Sequence, residues 1–532
     1  MSTASFIKTL YLFFFCILFF LFFFGILFRK RRGFYKNHAT TQFKYQKCRS
    51  LALRSDHLAS QTLIFDVEGA LLTSFSLFPY FMLVAFEGGS LLRALFLLLS
   101  YPFTCLFSEE TGLKIMVMVC FFGIKKETFR TGINVLPKFF LEDVGLEIFE
   151  VLKSSSGKKV GVTQLPQVMV VGFLRDYLEI DVVVGRELKV FNGYFVGLME
   201  EKKDIIGLEE ILEEDNMIGI TGFTKVLGHH LLSHCKEIYL VGEGDKRRWQ
   251  NLPREKYPKP LIFHDGRMAG APTPLDALAI FMWMPFGLIL AIFRVLIYLS
   301  LPTFVSHPLN AFGGMHLTVT MPDESSSSSS VPNTKEAKPK GLVYACNHRT
   351  PMDAPYLAVI FNKRIIAVSY SVSRMSEILS PNKMVRLTRN RDQDARIMES
   401  WLNEGDIIIC PEGTTCREPY LLRFSPLFAE LSEVIVPVAM DARVTMFHGT
   451  TASGLKFLDP IFFFMNPAPA YTVRVLDKVS GSPTYKNGEK SKFDVANQVQ
   501  GEIAKALGFE GTKLTRRDKY MLLAGTDGTV SR

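Results

Sequence analysis

The stretch Cys346-Asn347-His348-Arg349-Thr350-Pro351-Met352-Asp353 places a histidine just after a candidate strand and an aspartate at the start of a candidate helix. At this spacing the Asp353 carboxylate can turn back onto the His348 imidazole and fix its tautomer. The free ring nitrogen can then act as a general base toward a hydroxyl group. A structural interpretation competes with this one, because Thr350 suits a helix N-cap and Asp353 the N3 position. The motif alone does not decide between them.

A second polar cluster, Cys410-Pro-Glu-Gly-Thr-Thr-Cys-Arg-Glu418, follows the apolar run Ile407–Ile409. The sequence predicts a strand that enters a tight turn at Gly413. Exposed backbone N–H groups and Arg417 could hold a phosphate there, and Glu412 could accept hydrogen bonds from substrate hydroxyls. The alternative is an ordinary strand-to-helix turn in which glycine supplies a positive φ.

Two further stretches complete the series. Val385–Arg391 is basic and contains Arg389, although a solvated charged face is the more common role of such a run. Val434–Ala439 reads as a core strand.

In this order the four stretches resemble the four sequence blocks of the glycerolipid acyltransferase family. The string from Pro411 to Phe428 resembles, over eighteen contiguous positions, the land-plant glycerol-3-phosphate acyltransferases associated with cutin and suberin. The resemblance covers roughly residues 300–480. One departure is that the wider family usually has an arginine directly after Glu-Gly-Thr, where this chain has Thr415 and carries Arg417 instead.

The resemblance implies transfer of an acyl group from acyl-CoA to glycerol-3-phosphate, giving lysophosphatidic acid. His348, oriented by Asp353, would take the hydroxyl proton, and the plant family implies the sn-2 hydroxyl. No cofactor is expected besides acyl-CoA as co-substrate, because a thioester is already activated. Arg389 and Arg417 would bind the phosphate. The substrate-binding candidates are Arg389, Glu412, Gly413, Thr414 and Arg417.

Residues 60–265 alternate β-rich and helical runs, and several strands end at a polar residue, which favours a parallel α/β sheet. This part resembles a haloacid-dehalogenase-type phosphatase, where a strand ends in Asp-x-Asp. Here the chain reads Asp66-Val67-Glu68, so the second acid is one methylene too long. Thr163 fits the second phosphatase motif.

The Mg²⁺ ligands of such a phosphatase are missing from the expected strand. Ile218–Gly222 carries no carboxylate, and the pair Glu243 and Asp245 follows one strand too late. We therefore expect the Mg²⁺ site to be lost and the product to keep its phosphate. The degenerate phosphatase site comprises Asp66, Glu68 and Thr163.

Three apolar stretches indicate membrane contact. Leu10–Phe28 is uncharged, and as a helix it could span a hydrocarbon core of ~30 Å. The basic run Arg29–Arg32 then places the remainder in the cytosol, with a signal peptide as the competing interpretation. Phe75–Phe107 contains charges, so an interfacial hairpin fits at least as well as a span. Ala277–Phe293 could span, enter one leaflet or pack as a buried helix.

The fold class is therefore α/β, with two domains and an N-terminal transmembrane anchor. Endoplasmic reticulum membrane with a cytosolic-facing active site is the expected location, and the mitochondrial outer membrane is the alternative. The expected parts are a membrane anchor with its basic flank (1–59), a haloacid-dehalogenase-like domain (60–268) with a membrane-associated insertion (75–124), a hydrophobic helical segment (269–308), an acyltransferase domain (309–505) with a flexible loop (321–340), and a polar tail (506–532).

Composition excludes several other classes. The 532 residues are 48% hydrophobic and 21% charged, which excludes a disordered chain, and 46 of them are Phe. A net charge of +9 suits acyl-CoA, glycerol-3-phosphate and membrane lipid as partners better than nucleic acid. Eight cysteines without a C-x-x-C pair argue against a disulfide scaffold or a cysteine zinc site. A phosphohydrolase using Asp66 and a catalytically silent lipid-binding scaffold remain as alternatives, and the oligomeric state stays open.

Overall fold

The computed structural model divides the chain into two compact units, residues 1–260 with 271–279, and residues 261–270 with 280–532. The described residues are 45–47, 61–200, 216–222, 232, 234–322, 341–363, 365–369, 383–388, 390–432, 434–480 and 491–528. The expected anchor Leu10–Phe28 and nearly all of the expected loop 321–340 lie outside them.

The first unit is built on a parallel sheet. Its described strands are β1 (Tyr45–Lys47), β2 (Thr62–Asp66), β3 (Lys159–Pro166), β4 (Val182–Arg186), β5 (Leu188–Phe191), β6 (Tyr194–Met199), β7 (Met217–Gly222) and β8 (Glu237–Val241). The sheet order is β1-β8-β7-β2-β3-β4, and all these neighbours are parallel. Strand β2 is buried along its whole length, as its apolar sequence requires of a central parallel strand. Asp66 therefore ends at the carboxyl edge of this sheet.

Several helices of the first unit follow β2 directly and form an insertion. The described helices of the whole unit are α1 (Phe78–Leu83), α2 (Leu91–Thr104), α3 (Glu109–Phe121), α4 (Thr131–Asn134), α5 (Leu136–Leu141), α6 (Leu146–Ser154), α7 (Gln167–Asp176) and α8 (Glu243–Lys246). The antiparallel hairpin β5–β6 lies outside the main sheet.

The second unit contains a mixed sheet. Its described strands are β9 (His316–Thr320), β10 (Val343–Cys346), β11 (Ile366–Ser369), β12 (Met384–Arg386), β13 (Ile407–Ile409), β14 (Tyr420–Leu421), β15 (Val434–Arg443), β16 (Ala470–Val475), β17 (Val479–Ser480) and β18 (Glu510–Gly511). The order is β12-β11-β13-β10-β15-β16-β9, with β17 beside β15 and a separate pair β14–β18. The α/β class predicted from the sequence is confirmed in both units.

The remaining helices include one long apolar helix, α9, which contains the boundary between the two units. Among the described residues it is the one helix long and apolar enough to cross a membrane. These remaining described helices are α9 (Pro274–Ser300), α10 (Thr303–Phe312), α11 (Asp353–Phe361), α12 (Arg391–Leu402), α13 (Asp459–Phe464), α14 (Lys492–Leu507) and α15 (Arg516–Ala524).

Strand β10 lies between β13 and β15, and all three run parallel. Ala345 is in register with both Ile409 and Pro437. Because parallel strands end at the same edge of a sheet, the residues that follow β10 and β13 come together. The topology therefore brings two of the predicted polar stretches to one place.

Residues 506–528 pack more extensively than the polar tail expected from the sequence. Strand β18 pairs with β14, and Thr512 donates a backbone hydrogen bond of 2.8 Å to Leu421. Helix α15 packs Leu523, which is 1% exposed, into an apolar cluster with Cys416. The polar composition concealed this packing, because only a few side chains of the segment face the core.

Candidate active site

His348 and Asp353 meet between the end of β10 and the start of α11. Nδ1 of His348 lies 2.8 Å from Oδ2 of Asp353, and the carboxylate is fully buried. The same oxygen accepts from the backbone N–H groups of Arg349 at 2.6 Å and Thr350 at 3.0 Å. These bonds fix the carboxylate, so we assign the ring proton to Nδ1, which leaves Nε2 with a lone pair that could accept a proton.

Tyr471 belongs to the hydrogen-bond network of this candidate site, and the sequence analysis missed it. Its hydroxyl donates to Oδ1 of Asp353 at 2.7 Å and also contacts the hydroxyl of Thr350. Thr350 donates to the same carboxylate oxygen at 3.0 Å. Tyr471 lies on β16, far along the chain, and no local spacing pattern could have linked it to Asp353.

The surroundings of His348 raise its pKa. Burial alone would lower the pKa, but Cys410 and the hydrogen bond with Asp353 outweigh burial and hold the pKa well above its usual value. The pKa of the Cys410 thiol is itself raised, by its hydrogen bond with Cys346 and by burial, so this thiol is uncharged near neutral pH. We therefore assign the charge that keeps His348 basic to Asp353.

Both carboxylate oxygens of Glu412 accept hydrogen bonds from backbone groups, whereas the sequence analysis considered substrate hydroxyls as their partners. Its Oε1 accepts from the His348 N–H at 2.7 Å, and its Oε2 accepts from the Leu422 N–H at 2.9 Å. Burial raises the pKa of Glu412 to about 7, although these two hydrogen bonds oppose the shift. A side-chain motif does not reveal these partners of Glu412, because each of them is a backbone N–H group.

The turn after Glu412 makes a second contact with the backbone of His348. Gly413 has φ +67°, as the sequence predicted of a glycine at this turn, and the Cys416 N–H donates to the His348 carbonyl at 2.8 Å. The hydroxyl of Thr414 accepts from Nζ of Lys519 at 3.2 Å. Residues 412–416 therefore contact both backbone polar groups of His348.

Arg417 is not placed as a phosphate ligand. Its side chain is 9% exposed and forms an ion pair of 3.5 Å with Asp265. It also donates from Nε to the Thr450 hydroxyl at 2.9 Å. No local sequence pattern indicates this pairing, because Asp265 precedes Arg417 by more than 150 positions. Arg389, the other predicted phosphate ligand, lies outside the described residues.

Arg349 and Asn347 join the strands around the site, and neither was assigned a role from sequence. Arg349 donates to the carbonyls of Cys416 and Glu418, both at 2.8 Å, and forms an ion pair of 3.0 Å with Asp441. Asn347 exchanges two hydrogen bonds with the backbone of Met440, at 2.8 and 2.7 Å. Both residues hold the neighbours of His348 in fixed register.

In the first unit, Asp66, Glu68 and Thr163 also come together. Asp66 accepts from the Gly69 N–H at 2.9 Å, whereas Glu68 accepts from the Thr163 hydroxyl and the Gln164 N–H. Glu68 is thus directed to backbone and hydroxyl donors on β3.

The described residues around Asp66 provide few oxygen ligands of the kind that Mg²⁺ requires. The neighbouring strand β7 offers Thr221, whose hydroxyl lies 3.4 Å from Oδ2 of Asp66, and ends in Gly222. Nζ of Lys246 lies in the same region and donates to the Glu68 carbonyl at 2.7 Å. No group of three metal-binding side chains occurs among the described residues. A hard divalent cation needs several oxygen ligands, which this donor set does not supply.

Two family models match the chain. Residues 62–241 match the haloacid-dehalogenase-like domain of RAM2-like glycerol-3-phosphate acyltransferases, and residues 329–441 match the acyltransferase model. The chain is 54% identical over 510 residues to probable glycerol-3-phosphate acyltransferase 2 of Arabidopsis thaliana, covering 93% of this chain and 95% of that one. The chain belongs to the plant glycerol-3-phosphate acyltransferase family. The family resemblance predicted from the motifs is confirmed.

A further relative matches the chain along most of its length, and two solved structures match parts of it. Glycerol-3-phosphate acyltransferase RAM2 of Petunia hybrida is 42% identical and covers 87% of this chain and 97% of its own. Among solved structures, the lysophosphatidic acid acyltransferase of Thermotoga maritima is 15% identical, with a TM-score of 0.25 over 43% of this chain and 95% of its own. A phosphoserine phosphatase is 14% identical, with a TM-score of 0.24 over 36% of this chain and 90% of its own.

Proposed function

We propose that this protein transfers an acyl group from acyl-CoA to a hydroxyl of glycerol-3-phosphate and releases lysophosphatidic acid and CoA. The observation that carries the proposal is the buried hydrogen bond between Asp353 and Nδ1 of His348. This bond leaves Nε2 as the basic nitrogen of the pair. Family membership supports glycerol-3-phosphate as the acceptor.

The chemistry needs two proton transfers, both through His348, and one exchange of the acyl group at the thioester carbonyl. Nε2 of His348 takes the proton of the acceptor hydroxyl as the oxygen attacks the thioester carbonyl. The C–O bond forms, the C–S bond breaks, and CoA leaves as a thiolate that the imidazolium protonates. The buried carboxylate of Asp353 stabilises the imidazolium formed on the way. The resemblance to plant relatives supports the sn-2 hydroxyl and a role in cutin or suberin precursor synthesis.

We propose that the first unit is not an active phosphatase, so the product keeps its phosphate. Glu68 is engaged by Thr163 and Gln164, which supports the loss of the acid/base. The absence of carboxylates on β7 supports the loss of Mg²⁺ binding.

One assay tests both proposals. Membranes that contain the wild type, His348→Ala, Asp66→Asn or the control His316→Ala receive glycerol-3-phosphate and labelled acyl-CoA. His316 is exposed on β9 and serves as the matched histidine. We expect labelled lysophosphatidic acid, acylated at sn-2, from all proteins except His348→Ala.

Each other outcome of that assay contradicts a named proposal. Monoacylglycerol from the wild type that becomes lysophosphatidic acid in Asp66→Asn would overturn the inactive phosphatase. Product at sn-1 would overturn the regiochemistry. No acyl transfer by the wild type would overturn the acyltransferase function and favour a silent lipid-binding scaffold. Equal transfer by the wild type and His348→Ala would overturn the role of His348 as the general base.

We also propose that the protein is bound to the endoplasmic reticulum membrane with its site facing the cytosol. The apolar run Leu10–Phe28 and its basic flank support an anchor. Helix α2 supports an additional contact, because the large apolar side chains Leu92, Phe96, Leu99 and Phe103 are exposed along one stripe. This helix of 14 residues is about 21 Å long, too short to span, so it would lie in the interface.

Helix α9 supports a contact made along its length. Arg294, in the C-terminal third of this apolar helix, donates to the carbonyls of Phe464 and Asn466, both at 2.6 Å. One face is thereby held on the second unit, whereas Phe286, Ile289, Phe293 and Leu296 on other faces are exposed. We propose that the exposed side enters one leaflet.

A photoreactive phospholipid tests this placement. We expect lipid adducts on residues 286–296 and none around Phe493, which is 57% exposed on α14 and serves as the matched apolar control. Equal labelling of both segments would contradict a specific contact by α9. Subcellular fractionation that finds the protein with mitochondria, and not with microsomes, would overturn the proposed location.

A further inference from the structure

Helix α15 buries a lysine against the turn beside His348. Lys519 is 7% exposed, and its Nζ donates to the Thr414 hydroxyl at 3.2 Å and to the carbonyl and hydroxyl of Thr415 at 2.5 and 3.1 Å. All three ammonium protons thus have oxygen partners on two consecutive residues. Within the described part of the chain, Lys519 forms no ion pair with a carboxylate.

The two threonines occupy the middle of the turn that holds His348. On one side of them Glu412 accepts from the His348 N–H at 2.7 Å, and on the other the Cys416 N–H donates to the His348 carbonyl at 2.8 Å. A shift of Thr414 or Thr415 would therefore move both groups that fix the His348 backbone.

Helix α15 is itself firmly held. Its N-terminus has a capping box in which Thr515 and Asp518 each bond the backbone of the other. Leu523 anchors the helix in the apolar cluster around Cys416. Lys519 is thus presented to the turn from a fixed support.

Burying an ammonium group without a carboxylate opposes folding, and burial lowers the pKa of Lys519. An apolar side chain would fill the same volume without that penalty, but it could not donate three hydrogen bonds in different directions. The hydrogen bonds to Thr414 and Thr415 therefore account for an ammonium group at this buried position.

We propose that Lys519 is a positioning residue for acyl transfer, which fixes residues 412–416 and, through them, the imidazole of His348. The proposal rests on the proposed acyltransferase function. Lys519 itself contacts neither substrate. Its effect is on the placement of the general base, where a displacement of ~1 Å can reduce the rate about 100-fold.

The test compares Lys519→Met with Arg517→Met, a cation on the same helix that is exposed. In the full-length protein we expect Lys519→Met to lower kcat about 10- to 100-fold. We expect KM for glycerol-3-phosphate and for acyl-CoA to change by less than about 3-fold, because the interaction is not made with either substrate. Arg517→Met should keep the wild-type kcat.

A second variant and a second measurement protect the test against misfolding. Thr415→Val removes one acceptor and leaves Lys519 in place, so a smaller loss of kcat is expected. In the double variant the two losses should be less than additive, because both act on one contact. Hydrogen exchange should be faster at the amides of residues 412–416 in Lys519→Met and unchanged in strand β2 of the first unit.

Three results would overturn the proposal. The first is a kcat of Lys519→Met within about 2-fold of the wild type. The second is a raised KM for glycerol-3-phosphate at unchanged kcat, which would make Lys519 a direct phosphate ligand. The third is unchanged exchange in residues 412–416. If the wild type transfers no acyl group, the proposed function fails, whereas the exchange comparison still decides whether Lys519 fixes the turn.

Discussion

Tyr471 donates a hydrogen bond of 2.7 Å to Asp353 from a position 118 residues further along the chain. The opposite carboxylate oxygen lies 2.8 Å from Nδ1 of His348. The aspartate that orients the base is thus itself oriented by a phenol on a different strand. A third layer of hydrogen bonding of this kind restricts the imidazole to one orientation.

Replacing Tyr471 with phenylalanine should lower kcat about 10-fold, because Asp353 loses one donor and gains freedom to rotate away from His348. The variant keeps the aromatic ring of residue 471, whose centroid lies 4.4 Å from that of Tyr356, so the fold should persist. Steady-state kinetics with glycerol-3-phosphate would measure the effect. Tyr356→Phe is the matched control, since its hydroxyl points to the sulfur of Met315 and it should retain full activity.

The raised pKa of His348 predicts that kcat/KM increases as the pH is raised. The general base must be neutral, so kcat/KM should be low in acid and should rise through an inflection above the usual histidine value near 6.5. Asp353→Asn removes the carboxylate and leaves burial, which lowers the pKa of an imidazole. The inflection should then move to lower pH while the plateau falls about 100-fold or more.

Rates of both proteins between pH 5 and 9 would provide the measurement, with the Asp441→Asn variant as a control for the loss of a nearby carboxylate. Asp441 pairs with Arg349 and does not contact His348. An inflection that does not move in Asp353→Asn would contradict the role of Asp353 in setting the basicity of His348.

The sequence predicted the His348–Asp353 contact because both residues belong to one strand–turn–helix segment, where spacing determines proximity. It placed Glu412 and Arg417 among the substrate-binding candidates because their side chains are polar, whereas the structure shows their contacts with the backbone of His348 and with Asp265. Those contacts depend on chain segments far apart in sequence. Lys519 lay beyond prediction for the same reason, since the partners of a buried lysine are set by tertiary packing.

Arg417→Met should destabilise the protein without a specific effect on the acceptor. The variant leaves Asp265 buried at 2% exposure without its cation, and breaking such a buried pair costs about 3–5 kcal/mol. Arg417 and the hydrogen bonds from Ser453 and Ala452 now hold the pKa of Asp265 below its usual value against the effect of burial.

Thermal unfolding would measure the loss, and KM for glycerol-3-phosphate in the folded fraction should stay unchanged. Arg423, which is exposed, provides the control variant Arg423→Met. A wild-type melting temperature combined with a strongly raised KM would restore Arg417 as a phosphate ligand.

Glu68→Asp should not create a phosphatase, although it rebuilds the Asp-x-Asp pattern. The shorter side chain would give up its hydrogen bonds with Thr163 and the Gln164 N–H, while β7 still provides no carboxylate for Mg²⁺. We expect lower stability, no release of phosphate from lysophosphatidic acid, and acyl transfer within about 2-fold of the wild type. Phosphate release in Mg²⁺-containing buffer would measure this, with Asp66→Asn as the control. Mg²⁺-dependent release by Glu68→Asp that Asp66→Asn abolishes would locate the defect in Glu68 alone and contradict the loss of the metal site.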